Sequence, residues 1–197
     1  NSKLSVSHNP NVTQYPLDVA KANKLLDEAG LAKGADGSRV KLNALMFPTF
    51  SKYGEIMREN LAEIGINLEV VQLERAAFVT RVFEKRDFDT ALISYCNGAD
   101  PTIGVSRMYM SNNIGNIQFS NAAAYRNPKV DDLFNQAAKA PETKKRGELY
   151  GEIQKIVQDE LPYWWLVETT GQGASRGKVK GIAPWSGNIA ENAWIQK

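Results

Sequence analysis

Residues 59–95 read ENLAEIGINLEVVQLERAAFVTRVFEKRDFDTALISY, and how they group decides the fold. The first seven close a helix at Gly65, a residue free to take left-handed backbone, with apolar Ile66 directly behind it. INLEVVQLE, residues 66–74, has the β-branched, alternating character of a strand. RAAFVTRVFEKR, residues 75–86, sets Phe78, Val79, Val82 and Phe83 at helical spacing. FDTALISY, residues 88–95, predicts a third strand whose apolar centre, Ala91 to Ile93, suits a position covered on both faces. Upstream, RVKLNALMF alternates through Val40, Leu42, Ala44 and Met46, and SKYGEIMRENLAEIGI puts Tyr53, Ile56, Met57, Leu61 and Ile64 on one helical stripe. Strand, helix, strand, helix, strand with short connections implies right-handed crossovers. The expected class is therefore α/β, a mainly parallel sheet flanked by helices.

The flanks extend this pattern. YPLDVAKANKLLDEAGL, residues 15–31, is a helix through Val19, Ala22, Leu26 and Ala29, stopped at Gly30 with Leu31 folding back. Beyond the third strand, Asp100-Pro101 predicts the start of a short helix, DPTIGVSRMYM, followed by the Asn-rich loop SNNIGNIQFSN. Two helices follow: NPKVDDLFNQAAKA, with Val130, Leu133, Phe134 and Ala137, and ETKKRGELYGEIQKIVQDE, with Leu149, Ile153, Ile156 and Val157. YWWLVETT, residues 163–170, then reads as a strand, which would point the adjacent Trp164 and Trp165 to opposite faces. The tail from Gly171 is glycine-rich and irregular.

Composition removes several functions. A net charge of +2 on 197 residues lacks the clustered positive charge of a nucleic-acid or membrane-surface protein. No apolar run approaches the ~20 residues that cross a bilayer. One cysteine and one histidine, Cys96 and His8, exclude a disulfide framework and a zinc site built from several such ligands. GQGASRGK has five residues between Gly171 and Gly177 where a phosphate loop needs four, and Val179 where it needs a hydroxyl. No cofactor, metal or catalytic constellation is expected. Cys96 has no base nearby and reads as a buried, inert thiol.

Asp100 carries two readings. It caps a helix, and it follows the C-terminal end of the third strand, where open α/β sheets bind ligands. A side chain can cap with one oxygen and face a cleft with the other.

Taken in order, YPLDVAKANKLLDEAGL, the stretch from Glu59 to Tyr95, Asp100-Pro101, FSNAAAYRNPKVDDLFNQAAKA, KKRGELYGEIQKIVQDELPYWWLVE and GKVKGI resemble the C-terminal lobe of family 5 extracellular solute-binding proteins. These are the peptide, nickel and opine receptors of bacterial ABC importers, and the resemblance covers most of residues 15–197. It implies one lobe of a two-lobed, type II periplasmic-binding-protein fold. It also implies a peptide or similar small solute, captured noncovalently by closure of the lobes and delivered to membrane permease subunits. In peptide-binding relatives an aspartate in the segment matching Asn97–Pro101 pairs with the ligand α-amino group, and carried onto this chain that residue is Asp100. NGADPTIGVSRMYMS lacks the fuller acidic loop of dipeptide binders. Tyr95, Asn97, Arg107, Trp164 and Trp165 are the further candidates, by position and side-chain chemistry.

The expected organisation is an irregular segment over residues 1–14, a solute-binding lobe over 15–176, and a tail over 177–197 returning toward an N-terminal lobe of the same protein. The expected location is periplasmic, or extracellular and tethered to the membrane, with no nucleic-acid partner. Two alternatives come from other classes. One is an α/β enzyme using Cys96, Asp87, Asp89 or Asp100; the other is an interaction module built on the helices of residues 128–160.

Overall fold

The computed structural model describes residues 7–95, 97, 100–115, 117–168, 174–182 and 192–196. The chain divides into two units, Asn1–Tyr163 and Trp164–Lys197.

The first unit is built on a three-stranded parallel sheet in which β1 (Val40–Met46) lies between β2 (Ile66–Gln72) and β3 (Thr90–Leu92). Met46 pairs with Gln72 on one side and Leu92 on the other, so all three strands end along one edge. Ala44, Leu45 and Met46 are fully buried. Successive side chains of a strand face opposite ways, so both faces of the sheet are covered there.

Helix α1 (Val19–Glu28) is capped by Asp18, whose carboxylate accepts the Lys21 amide at 2.8 Å. It stops at left-handed Gly30, with the Leu31 amide returning to the Leu26 carbonyl. No residue of α1 is fully buried. Its attachment runs through Arg39, whose side chain is 2% exposed. That guanidinium donates to the Ile64 carbonyl, to Asp27 at 2.5 Å, to Asn23 at 3.0 Å and to the Leu31 carbonyl.

Helix α2 (Ser51–Ala62) covers one sheet face, though not with the whole stripe expected. Met57 and Leu61 pack against the cluster of Ala44, Met46 and Leu68, while Ile56 is 56% exposed and Tyr53 also faces outward. The helix turns Gly54 inward instead: a Cβ there would lie 2.6 Å from the Met46 sulfur, so its absence lets helix and strand approach. On the other face, α3 (Arg75–Val79) continues as a π-helical turn over Thr80–Lys85. Phe78, Val79, Val82 and Phe83 are buried against Leu45, as their spacing predicts. Left-handed Arg86 closes the turn.

The third strand is shorter than the apolar run suggests. β1 ends at Met46, opposite Leu92, so Ile93 to Tyr95 have no ladder to join. The helix expected at Asp100 is a run of turns over residues 101–105 that becomes helical only in α4 (Ser106–Tyr109).

Helices α5 (Pro128–Lys139) and α6 (Thr143–Glu160) pack as a pair. Asn127 caps α5 by accepting from the Lys129 and Val130 amides. Val130, Leu133, Phe134 and Ala137 of α5 meet Leu149, Tyr150 and Ile153 of α6, with Met108 and Tyr109 completing the cluster. Each large side chain so buried contributes about 1.5–3 kcal/mol. Residues 7–15 form a strap along α6. The Asn9 amide donates to Gln154, Asn9 Nδ2 to the Gly151 carbonyl at 2.9 Å, and the Tyr15 hydroxyl to the Gln158 carbonyl.

The strand expected over residues 163–170 is not formed in its described part, 163–168. The described ladders join only β1 with β2 and β3, and β4 with β5. Tyr163 is instead held edge-on by Tyr95 and Tyr109, and the alternation of faces expected for Trp164 and Trp165 goes with the strand. In the second unit, β4 (Val179–Lys180) pairs antiparallel with β5 (Trp194–Ile195). Left-handed Gly181 follows β4, where a Cβ would overlap the Asn192 carbonyl oxygen at 2.1 Å.

Candidate functional site

The chain leaving β3 crosses the C-terminal edge of the sheet and carries Tyr95, Asn97 and Asp100. Arg107, on α4, comes back to the same place: its guanidinium carbon lies 5.8 Å from the centre of the Tyr95 ring. Cys96, Gly98 and Ala99 lie outside the described residues, and with them the expected burial of the thiol.

Tyr95 is fixed at both ends. Its hydroxyl donates to the Ser120 carbonyl at 3.1 Å, and its ring meets Tyr163 edge-on at 6.4 Å. Tyr163 in turn meets Tyr109 at 5.3 Å, and Tyr109 meets Tyr125 at 6.2 Å. Burial, and after it the neighbouring Tyr163, pushes the Tyr95 phenol well above its ordinary value, so it acts as a neutral donor. Asn121, fully buried, shapes the loop that supplies Ser120. Its amide donates to the Met110 and Tyr125 carbonyls and accepts from the Tyr125 amide.

Asp100 does cap: Oδ1 accepts the Thr102 amide at 2.9 Å. Its other oxygen is also taken, by Arg146 of α6 at 2.6 Å, with the Tyr150 hydroxyl 3.5 Å from Oδ1. The Arg146 hydrogen bond, then the Thr102 amide, hold the carboxyl below the usual carboxylate value. No residue of KKRGELYGE is among the sequence candidates, so Arg146 is missed. The signal was there: Arg146 lies three and four residues before Leu149 and Tyr150, one turn back on the buried side.

Asn97 and Arg107 are the candidates with unused polar atoms. Asn97 Oδ1 and Arg107 Nε are buried without a hydrogen-bond partner, and Asn97 Nδ2 has only the Met108 sulfur at 3.6 Å. Trp164 and Trp165 open the second unit, 69% and 51% exposed. So the structure brings Tyr95, Asn97, Asp100 and Arg107 together on one edge and places the two tryptophans in the other unit.

The carboxylates of the enzyme alternative each have a structural partner. Asp87 pairs with Arg81 at 3.0 Å, Asp89 accepts from the Asn43 backbone and side chain, and Asp100 is held as above. Among the described residues no group of three or more His, Cys, Asp and Glu is placed to hold a metal ion. No helix among them is long and apolar enough to cross a membrane. Two shallow grooves, of about 200 Å³ by Lys41 and Arg58 and about 500 Å³ by His8 and Lys155, include none of the six candidates.

A family model described as bacterial extracellular solute-binding proteins, family 5 Middle, matches residues 2–116. "Heme-binding protein A" of Haemophilus influenzae is 29% identical over 178 residues, which is 89% of this chain and 32% of that protein. The fold is shared with a dipeptide binding protein from Pseudoalteromonas sp. SM9913, solved in complex with Met-Leu. The TM-score is 0.75 at 23% identity, over 99% of this chain and 39% of that one. The ABC transporter-associated periplasmic binding protein DppA from Helicobacter pylori, in complex with the peptide STSA, gives a TM-score of 0.73 at 22% identity, over 97% and 37%. The chain thus spans about a third of the length of the relatives it matches.

Proposed function

Because this chain belongs to the bacterial extracellular solute-binding proteins of family 5, we propose that it is the solute-binding lobe of an ABC importer receptor. It captures a peptide or similar small solute noncovalently and passes it to the permease subunits in the membrane. Residues 15–176 form that lobe, and an N-terminal lobe of the same protein closes over it. The receptor works outside the inner membrane, in the periplasm or tethered at the cell surface.

The observation that carries this reading is the family match over residues 2–116, which include the sheet and its polar C-terminal edge. Parallel α/β sheets receive ligands at that edge. Tyr95, Asn97 and Arg107 contact the solute there; Trp164 and Trp165 are candidate contacts belonging to the second unit. Asp100, its oxygens engaged by Arg146 and the Thr102 amide, orients the loop that presents them. Capture needs no bond-making, only hydrogen bonds, charge and packing completed as the lobes close.

The test uses the full-length receptor. Mass spectrometry of co-purifying solutes, followed by calorimetric titration with di- to tetrapeptides, is expected to return a bound peptide of micromolar or tighter affinity. No co-purifying solute and no heat with any peptide would sink the proposal. In the same receptor Asp100→Ala is expected to lower the melting temperature and to weaken binding less than Arg107→Met does.

A further inference from the structure

Arg75 stands on the ligand edge with its charge unmet. The Leu73 amide donates to the Met46 carbonyl at 2.9 Å, so the chain leaves β2 at the edge where the Tyr95 loop leaves β3. Arg75 follows two residues later, as the first residue of α3. It is exposed, and none of the ion pairs among the described residues includes it, although Glu74 is its neighbour in sequence. Its guanidinium carbon lies 4.7 Å from the centre of the Phe119 ring. A guanidinium resting on an aromatic face keeps its in-plane N–H fork free for an acceptor.

The ring under Arg75 is held in an unusual way. Phe119 has left-handed backbone, φ 58°, which a bulky side chain rarely adopts, and such strain collects at ligand clamps and active sites. Its ring lies 5.4 Å from that of buried Phe83, in the cluster that packs α3 on the sheet. The next residue, Ser120, supplies the carbonyl that accepts the Tyr95 hydroxyl at 3.1 Å. Consecutive residues therefore join Arg75 to Tyr95. β2 and β3, from which the two lead off, lie on opposite sides of β1, about 10 Å apart.

We propose that Arg75, seated on Phe119, is a subsite for a carboxylate of the solute. Its fork of N–H groups matches a carboxylate bidentately. The fork lies open on this lobe, and its pairing strengthens as the closing lobe excludes water. This rests on the receptor reading above, and it adds a contact after β2 to those on the loop after β3. A peptide offers such a group at its C-terminus or on an acidic side chain. With that carboxylate on Arg75, about three extended residues span the gap to the Tyr95 side of the edge.

The test is calorimetric titration of the full-length receptor and its Arg75→Met variant with two pairs of probes. Tri-alanine against tri-alanine amide reads the terminal carboxylate, and Ala-Glu-Ala against Ala-Gln-Ala reads the side-chain one. In the parent, the carboxylate member of one pair or both is expected to bind about tenfold or more tighter than its amide, as a charge-assisted pair does. The pair that shows the preference identifies the source. Arg75→Met should bring that carboxylate down to the level of its amide, leave the amide unchanged and melt with the parent. Arg75→Lys should recover part of the difference. No preference in either pair, or a preference that survives in Arg75→Met, overturns the subsite and leaves the receptor reading standing. Equal weakening of all four probes in Arg75→Met gives the residue to the other lobe and also overturns the subsite. Failure of every probe to bind the parent sinks the peptide-receptor function and the subsite with it. Should Arg75→Met fail to fold by circular dichroism, Arg75→Gln takes its place in the same comparison.

Discussion

At Gly104 the smallest possible side chain tests the geometry of the site. A Cβ built there lies 1.8 Å from the Asn97 carbonyl oxygen, 2.4 Å from its carbon and 2.7 Å from its Cα. These are backbone atoms, so no rotamer change relieves the overlap. The oxygen must recede from 1.8 Å to about 3.0 Å, a shift of about 1.2 Å, before the contact is tolerable. Overpacking costs about 1–3 kcal/mol, and a rigid obstacle puts Gly104→Ala near 3. In a chain of this size ~1 kcal/mol moves the melting temperature by about 2–4 °C, so the variant should melt about 6–12 °C lower. Gly177→Ala is the control: nothing lies within 4 Å of a Cβ there, and its change should be within about 0.5 kcal/mol. Thermal melts followed by far-ultraviolet circular dichroism read both. Gly104→Ala melting with the parent would refute the close approach of α4's lead-in turn to Asn97. Because Asn97 moves with the clash, solute affinity should fall as well.

Two further outcomes follow from buried or half-buried charge. Arg39→Met removes the guanidinium that ties α1 to the end of α2, and is expected to cost about 3 kcal/mol with faster hydrogen exchange throughout α1. Unchanged exchange in α1 would show that the helix is held by something else. The Asp100–Arg146 pair depresses the folded-state carboxyl value, so its stabilisation is present above the unfolded value of 3.8 and lost as pH falls through the lower folded value. Urea melts should therefore separate Arg146→Met from the parent at neutral pH and bring them together in acid below that point. A gap of the same size at both would show that Asp100 gains nothing from Arg146.

The elements most legible in the sequence are those whose apolar periodicity is decided within one turn or one strand. Val130, Leu133, Phe134 and Ala137 are buried as their spacing says, and so are Phe78, Val79, Val82 and Phe83. What failed depended on a neighbour. Ile56 and Tyr53 belong to a helical stripe, but Gly54 opposite Met46 rotates α2 away from them. FDTALISY has strand residues beyond Leu92, but β1 offers no partner past Met46. YWWLVETT has strand propensity, and Tyr163 goes into an edge-to-face tyrosine cluster instead. The site divides in the same way. Position after β3 pointed to Tyr95, Asn97, Asp100 and Arg107, since the C-terminal edge follows from element order alone. The engagement of Asp100 by Arg146 joins residues 46 apart, so helical spacing can set Arg146 on the buried side of α6 but does not name Asp100 as its partner.

The strap of residues 7–15 along α6 sets an order of events in time. Asn9 and its acceptor on Gln154 are 145 residues apart. At synthesis rates of about 5–20 residues per second, the beginning of this segment waits roughly 7–30 s before its partner helix exists. The sheet, whose strands are all made by residue 92, can assemble in that interval, while the strap and the α5–α6 pair come last. A chain interrupted before α6 would carry a finished sheet and a strap with nothing to bind. The late-made helix thus completes the unit by securing a segment that was made well before it.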